Sequence, residues 1–231
     1  MELVIFDVDG TLVHSDKRDS QMFATTFERI YGRAFPSIDW QNFPHVTDNI
    51  IFGTAIAQHF GRPASAEETQ RFMGQYMEAL QRSRQTAPHH YQEVPGARSA
   101  ITALQGSGRL IGIGTGGWKA PAEIKLSHVG IKVEQRLFSG GDGKPNREAI
   151  LEEAMQAAEQ FNGGPLSRVV YIGDAIWDVE TTRNLQVDFV GVRHRGDLGT
   201  LQSAGAGQVI QDYTCWDTFQ AALQQARPPK K

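Results

Sequence analysis

The stretch "ELVIFDVDGTLVHSD" at residues 2–16 decides how the rest of the chain is interpreted. It opens with a continuous apolar run, Leu3 to Phe6, of the kind that forms a parallel strand covered on both faces. The run stops at Asp7, and a second carboxylate follows at Asp9, just before Gly10. Because residues two apart in an extended segment project to the same side, we expect both carboxylates to reach one ligand at the end of a buried strand.

Similar apolar runs recur along the chain, and helical patterns lie between them. The later strand-like runs are Leu110 to Ile113, Val169 to Ile172 and Phe189 to Val192. The helical patterns beside them are Ala97 to Leu104, Ala120 to His128, Arg147 to Phe161 and Val179 to Leu185. Strands that alternate with helices predict crossover connections, and therefore an α/β fold with a Rossmann-like, doubly wound parallel sheet.

The segment between the first two strands breaks this alternation. From about Lys17 to His90 it has no strand-like run, and its helical patterns are Ser20 to Tyr31, Thr47 to Phe60 and Ala66 to Ser83. Short Pro and Gly sequences punctuate these patterns. We therefore predict a helical cap domain at residues 16–91, inserted into an α/β core domain formed by residues 1–15 and 92–231.

Composition narrows the class of protein. The chain has 231 residues, of which 40% are hydrophobic and 21% are charged, as in ordinary globular proteins. The net charge of −3 shows no cationic excess, which argues against a nucleic-acid partner. The few apolar residues before Asp7 are too short for a signal peptide or a membrane span, so we expect a cytoplasmic protein with no membrane partner. Cys215 is the single cysteine and is expected to be a small buried residue.

A second polar motif follows the second predicted strand, in "LIGIGTGGWKA" at residues 110–120. Thr115 offers a hydroxyl, and Gly116 offers a free backbone N–H at the start of a helix, which together would cradle an anion. The same stretch also matches a dinucleotide-binding fingerprint. The residues of that fingerprint are Gly112, Gly114, Gly117 and Glu134. A glycine pattern alone is weak evidence, so both interpretations stay open at this point.

Two further motifs add a cation and two acids. "GGDGKPNREAI" at residues 140–150 places Lys144 in a loop before a helix, where it could neutralise a phosphate, and Arg147 is a rival for that role. "VVYIGDAIWDVETTRN" at residues 169–184 ends a buried run on Asp174, with Asp178 four residues later. All four motifs lie at the carboxyl ends of predicted strands, where parallel sheets bind ligands. Carboxylates gathered there repel one another unless a cation lies between them, which indicates a site for Mg²⁺ and a phosphate group.

With these motifs in order, the chain resembles the haloacid dehalogenase-like superfamily, and its helical insertion resembles the cap of the phosphoglycolate phosphatase-like branch. The matching motifs are "DVDGT", "TGG", "GKPNRE" and "GDAIWD". The resemblance covers essentially the whole chain. It implies a Mg²⁺-dependent phosphatase that hydrolyses a small phosphomonoester through an aspartyl-phosphate intermediate, with no other cofactor.

The resemblance also implies a role for each site residue. Asp7 would be the nucleophile, and Asp9 would be the general acid and base. Mg²⁺ would be held by the Asp7 carboxylate, the backbone carbonyl of Asp9, and Asp174, while Asp178 would act behind them, often through water. The groups that hold the phosphate would be Thr115, Gly116 and Lys144.

Three residues depart from the family pattern or lie beside it. Arg147 stands where relatives usually have a second proline, so either Lys144 or Arg147 could supply the cation of the third motif. His14 stands where many relatives carry an acid, and it is either a substrate contact or a packing residue near the base of the cap. Trp118 is either a substrate contact or a packed core residue.

Other functions stay open on the sequence alone. A sugar phosphomutase of the same superfamily would use the same four motifs, whereas a dinucleotide-binding protein would explain only the glycines around Thr115. A catalytically silent binding protein is disfavoured by the complete set of motif residues. The expected partner is a small phosphorylated metabolite, and neither its identity nor the oligomeric state follows from the sequence.

Overall fold

The computed structural model describes residues 1–15 and 17–231. Its strands, in chain order, are β1 (Glu2–Phe6), β2 (Val13–His14), β3 (Gln92–Glu93), β4 (Leu110–Gly114), β5 (Phe138–Ser139), β6 (Arg168–Gly173), β7 (Asp188–Val192) and β8 (Val209–Ile210). The apolar run that precedes Asp7 is β1. The four side chains of this run are fully buried, because helices cover both faces of the sheet.

Six of the described strands form one parallel sheet, in the order β5, β4, β1, β6, β7, β8. In this sheet β1 pairs with β4 on one side, where Ile5 lies opposite Gly112, and with β6 on the other, where Ile5 lies opposite Tyr171. The chain therefore builds the sheet outward in both directions from β1. The carboxyl edge beside β1 is a topological switch point, which is where open parallel sheets bind ligands.

Helices connect the strands and cover the sheet. Those of the described residues are α1 (Arg18–Tyr31), α2 (Asp48–Phe60), α3 (Ala66–Thr86), α4 (Ala97–Gly106), α5 (Lys119–His128), α6 (Arg147–Asn162), α7 (Ile176–Leu185), α8 (Gly199–Ser203) and α9 (Trp216–Gln225). Apolar residues of α4, α5 and α9 pack on one face of the sheet, and those of α6, α7 and α8 pack on the other. The predicted α/β fold with a doubly wound parallel sheet is confirmed.

The insertion after β1 is helical, as its sequence pattern predicts. Between residues 17 and 91 the described chain contains α1, α2 and α3, which pack around their own cluster of buried aromatic and aliphatic side chains. A short antiparallel ribbon formed by β2 and β3 joins the insertion to the sheet, with His14 opposite Gln92. Among the residues that the structure describes, no helix combines the length and apolar character of a membrane span.

The sequence patterns give the ends of the long helices to within three residues. The predicted helix Val179 to Leu185 begins earlier, at Ile176, directly after Ala175. The short elements β5, β8 and α8 lie outside the patterns, since they span too few residues to show a period. The expectation of a buried Cys215 is wrong: it is exposed at the position before α9, where its thiol accepts a hydrogen bond from the Thr218 hydroxyl at 3.1 Å.

Candidate active site

Asp7 lies directly after β1, at the carboxyl edge of the sheet. Its backbone N–H donates to the carbonyl of Ile172 at 2.9 Å, which continues the pairing with β6. The residue is 4% exposed, and the N–H of Val8 and the hydroxyl of Thr115 lie close enough to its carboxylate to lower its pKa. Burial raises the pKa of Asp7 to about 6, against the opposing charge of Arg147. The fold thus holds the Asp7 carboxylate in one orientation at the carboxyl edge of the sheet.

The turn after β1 requires a glycine at position 10. Gly10 has a φ of 79°, a left-handed conformation that residues with a side chain rarely adopt. A Cβ at this position would overlap the carboxylate of Asp174. The N–H of Val13 closes the turn by donating to the carbonyl of Val8 at 2.9 Å. Gly10 therefore allows a carboxylate of the fourth motif to approach the backbone of the first.

Three carboxylates meet at this edge. One oxygen from each of Asp7, Asp174 and Asp178 lies within 4.8 Å of the other two. Asp178 is fully buried, and its Oδ2 accepts from the backbone N–H groups of Asp174 and Ala175 at 3.1 and 3.0 Å. Burial raises the pKa of Asp174 well above its ordinary value, and the charges of Asp178 and Asp7 raise it further.

This acidic cluster suits a divalent cation. Mg²⁺ prefers carboxylate and carbonyl oxygens, and a bound cation would relieve the repulsion that raises the pKa of Asp174. Asp178 is already engaged through both oxygens, by two backbone N–H groups and by the side chains of Arg147 and Tyr171. Asp7 and Asp174 therefore have the greater capacity for a metal. The assignment of Mg²⁺ to Asp7, the Asp9 carbonyl and Asp174 stays a prediction.

The structure places Arg147, and not Lys144, beside the acids. Nη2 of Arg147 lies 2.6 Å from Oδ1 of Asp178 and 3.6 Å from Oδ1 of Asp7. Lys144 instead forms an ion pair with Glu153 of α6 at 2.6 Å. Arg147 is the first residue of α6, and this position turns its side chain towards the sheet, whereas Lys144 lies in the preceding loop. Of the two cations that the third motif offers, Arg147 is therefore the one beside the acids, and the assignment of Lys144 to the phosphate stays a prediction.

The loop after β4 carries the second motif to the same place. The hydroxyl of Thr115 accepts from the N–H of Gly117 at 3.3 Å and lies beside the Asp7 carboxylate, whose pKa it lowers. A Cβ at Gly116 would overlap the backbone carbonyl of Val46 as well as the guanidinium of Arg147, so this loop needs a glycine. The fold therefore brings Thr115 and Gly116 together with Asp7 and Arg147, although they come from three distant parts of the sequence.

Close packing accounts for two glycines of the dinucleotide fingerprint. Gly112 and Gly114 lie within β4, not in a turn between a strand and a helix as that fingerprint requires. A Cβ at Gly114 would come within 2.7 Å of Leu151 in α6. These two glycines allow α6 and the neighbouring chain to pack closely against the strand.

Trp118 and His14 lie in different surroundings, one within the insertion and the other at a cavity. Trp118 is 1% exposed and stacks on Phe23 of α1, with 5.7 Å between ring centroids. Its placement among the aromatic residues of the insertion favours a packing role, and a contact with substrate stays a prediction. The His14 ring lies 5.8 Å from the ring of His194, in an edge-to-face arrangement, and faces the cavity described next.

A cavity of about 480 Å³ is lined by both the insertion and the sheet edge. Asp9 and Asp174 line it from the motifs, and His14 lines it from β2. The insertion contributes aromatic side chains such as Trp40, and the loop after β7 contributes cationic ones such as Arg193. The cavity is therefore acidic beside the motifs and mixed aromatic and cationic farther away.

Sequence reasoning did not identify Lys125, Asp19 or Asp48 as residues of this site. Lys125 donates to Asp9 and Asp19, and the Asp48 carboxylate accepts from the N–H of Trp118 at 3.0 Å. Burial raises the pKa of Asp9 to about 8, although Lys125 opposes the rise. The available signal was the position of Lys125 on the otherwise apolar, buried face of α5.

Comparison with known proteins agrees with the motifs. The family model described as haloacid dehalogenase-like hydrolase matches residues 4–192. An N-acetylmuramic acid 6-phosphate phosphatase of Pseudomonas aeruginosa is 24% identical over 196 residues, which cover 84% of this chain and 82% of the relative. A phosphoglycolate phosphatase of Cereibacter sphaeroides is 26% identical over 195 residues, which cover 83% of this chain and 86% of the relative.

Solved structures share the fold over almost the whole chain. A hydrolase from Pseudomonas syringae has a TM-score of 0.69 at 21% identity, with 92% of this chain and 94% of that chain covered. The CbbY protein of Rhodobacter sphaeroides, solved in complex with phosphate, has a TM-score of 0.66 at 15% identity, with 92% and 95% covered. At these identities the likeness concerns the fold alone.

Proposed function

Since the chain belongs to the haloacid dehalogenase-like hydrolase family and is a phosphoric monoester hydrolase, we propose that it hydrolyses a small phosphomonoester with Mg²⁺ through an aspartyl-phosphate intermediate. The observation that carries this proposal is the setting of Asp7. Its buried carboxylate has the hydroxyl of Thr115 beside it, the guanidinium of Arg147 at 3.6 Å, and a second acid, Asp174, close by.

In the proposed reaction the Asp7 carboxylate attacks phosphorus, and the ester oxygen leaves as the new bond forms. The Thr115 hydroxyl, the Gly116 N–H and the Arg147 guanidinium hold the phosphoryl oxygens and balance the charge that develops on them. We assign this cationic role to Arg147 in preference to Lys144, because Lys144 is paired with Glu153.

Asp9 acts as the proton donor and acceptor in this scheme. It gives a proton to the leaving oxygen, and later takes one from the water that hydrolyses the aspartyl-phosphate. Burial raises the pKa of Asp9 above its ordinary value, which favours the protonated form that this step requires. The location of Asp9 on the cavity wall gives it access to a bound ester.

The same arrangement leaves a place for the metal. When bound, Mg²⁺ would be held by Asp7, the Asp9 carbonyl and Asp174, and would neutralise part of the phosphate charge. Asp178 holds the backbone N–H of Asp174 in place and so orients the fourth motif.

We further propose that residues 16–91 form a cap domain over a core domain of residues 1–15 and 92–231. The cap side chains in the 480 Å³ cavity would then set specificity and exclude water during the reaction. The curated relatives are named for phosphoglycolate and N-acetylmuramic acid 6-phosphate. A cavity of this size admits a phosphorylated metabolite considerably larger than a two-carbon ester.

The proposal is tested by phosphate release from a panel of alkyl phosphomonoesters and p-nitrophenyl phosphate, with and without Mg²⁺. We expect release by the wild type to need Mg²⁺, to disappear in Asp7→Asn and to fall strongly in Asp9→Asn. The matched control is Asp217→Asn, which removes an exposed carboxylate of α9. Full activity in Asp7→Asn would refute the covalent scheme, and phosphate transfer between sugar positions without release would favour a phosphomutase.

A further inference from the structure

Lys125 is a buried lysine whose ammonium group joins three parts of the molecule. It lies in α5 and is 5% exposed. Its Nζ lies 2.8 and 2.7 Å from the two carboxylate oxygens of Asp9, and 2.9 Å from Oδ2 of Asp19. One cation therefore binds both the carboxylate that follows β1 and a carboxylate of the helical insertion.

The second partner, Asp19, is itself held in place. It is a buried residue in the first turn of α1, where its Oδ1 accepts a hydrogen bond from the hydroxyl of Ser15. Its neighbour on the same helix face, Phe23, belongs to the aromatic cluster of the insertion. Asp19 is thus anchored to the insertion on one side and to Lys125 on the other.

A gain in stability does not by itself explain why Lys125 is placed between Asp9 and Asp19. Removing the Lys125 ammonium and the Asp19 carboxylate from water is costly, and an apolar side chain of similar size often packs at such a position without loss of stability. The three residues also lie where a substrate would bind, since Asp9, Asp19 and Lys125 all line the 480 Å³ cavity. A bond from Lys125 to both oxygens of Asp9 restricts the rotation of that carboxylate at the cavity wall.

We propose that Lys125 and Asp19 form a positioning pair, which fixes the carboxylate of Asp9 for proton transfer and links its position to the first helix of the insertion. This inference rests on the proposed function, because it assigns the two residues a task only if Asp9 is the acid. The pair touches no reacting atom of the ester and acts through Asp9.

A comparison of esters with different leaving groups can show whether Asp9 is correctly positioned for proton transfer. As Asp7 bonds to phosphorus, the bond from phosphorus to the ester oxygen breaks, and Asp9 delivers its proton to that oxygen. An alkoxide is a poor leaving group and needs this proton, whereas p-nitrophenolate leaves readily without it. General acid catalysis contributes about 10²- to 10⁴-fold to a rate, so a misplaced Asp9 should slow alkyl esters far more than the aryl ester.

The experiment compares kcat/KM, which reports the steps up to departure of the leaving group and not the later hydrolysis of the aspartyl-phosphate, for p-nitrophenyl phosphate and for the best alkyl phosphomonoester of the panel in Lys125→Met, Asp19→Asn and the double variant. We expect kcat/KM for the alkyl ester to fall about 100-fold in Lys125→Met, and kcat/KM for the aryl ester to fall less than about tenfold. Asp9→Asn should give the same selective loss. Lys132→Met is the matched control, since it removes an exposed lysine outside the site.

Equal losses for both esters in folded variants, or no loss for either, would overturn the positioning role. If Lys125→Met does not fold, the double variant, which removes both unlike charges together, and Asp19→Asn give the same comparison. Failure of all three variants to fold would show a purely structural pair and would also overturn the proposal. The proposed function fails separately, when the wild type releases no phosphate from any ester.

Discussion

Replacement of Arg147 by methionine removes the cation beside Asp7 while keeping much of the volume of the side chain. In the wild type, Nη2 of Arg147 donates to Oδ1 of Asp178 at 2.6 Å and to the hydroxyl of Tyr171 at 2.9 Å. Asp178 is fully buried, so solvent does not replace the lost donor. We therefore expect Arg147→Met to be costly even before catalysis is considered.

The expected loss of stability depends on Asp178, which stays buried without its cationic partner. Breaking a buried ion pair by removing one member costs about 3 to 5 kcal/mol, because the remaining charge is left without a counter-charge. Asp178 keeps its two backbone donors, the N–H groups of Asp174 and Ala175, so the lower end of the range applies. A loss of about 3 kcal/mol in a chain of this length corresponds to a fall of roughly 6 to 12 °C in Tm.

Urea unfolding followed by tryptophan fluorescence measures this loss directly. Lys144→Met is the matched control and should lose at most about 0.5 kcal/mol, since its pair with Glu153 is partly exposed. The double variant Arg147→Met with Asp178→Asn should recover part of the stability, because it also removes the stranded charge.

Phosphate release on the same variants separates the two cations. If Arg147 balances the phosphoryl charge, Arg147→Met should lower kcat/KM by at least about 100-fold, and Lys144→Met should retain activity. A stability of Arg147→Met within about 1 kcal/mol of the wild type would refute the charge argument. Loss of activity in Lys144→Met alone would return the cationic role to that lysine.

Three further predictions concern packing, backbone and pH. Trp118→Ala empties a buried place in the aromatic cluster and should cost about 3 to 5 kcal/mol in urea unfolding; weaker substrate binding at unchanged stability would contradict its packing role. Gly10→Ala forces a Cβ onto the Asp174 carboxylate at a φ of 79°, so phosphate release should need more Mg²⁺, and an unchanged Mg²⁺ titration would count against this contact. Hydrogen bonding, first from Arg62, lowers the pKa of Glu68 to about 2, so its stabilisation is complete above the ordinary value of 4.5 and declines as the pH falls towards 2. Glu68→Gln should therefore lose about 1 kcal/mol at pH 7 and less at pH 3, and a loss that grows on acidification would contradict this sign.

Local sequence determined much of this fold, because its main elements carry strong periodic signals. The run from Leu3 to Phe6 is apolar at every position, as a strand covered on both faces requires. The helices of the insertion carry their own start signals: Ser65 and Glu68 form a capping box at the beginning of α3. The position of the acids also followed, since the carboxyl ends of parallel strands meet at one edge whatever the details of packing.

Only the tertiary structure decided which charged side chains meet at that edge. Whether Lys144 or Arg147 faces Asp7 depends on where α6 begins and how it is rotated against the sheet, and three residues of separation give no such information. Lys125 bonds to Asp9 across 116 residues and to Asp19 across 106. Contacts of that kind arise because the insertion packs against α5, and no local pattern of residues encodes the meeting of two surfaces that are distant in the chain.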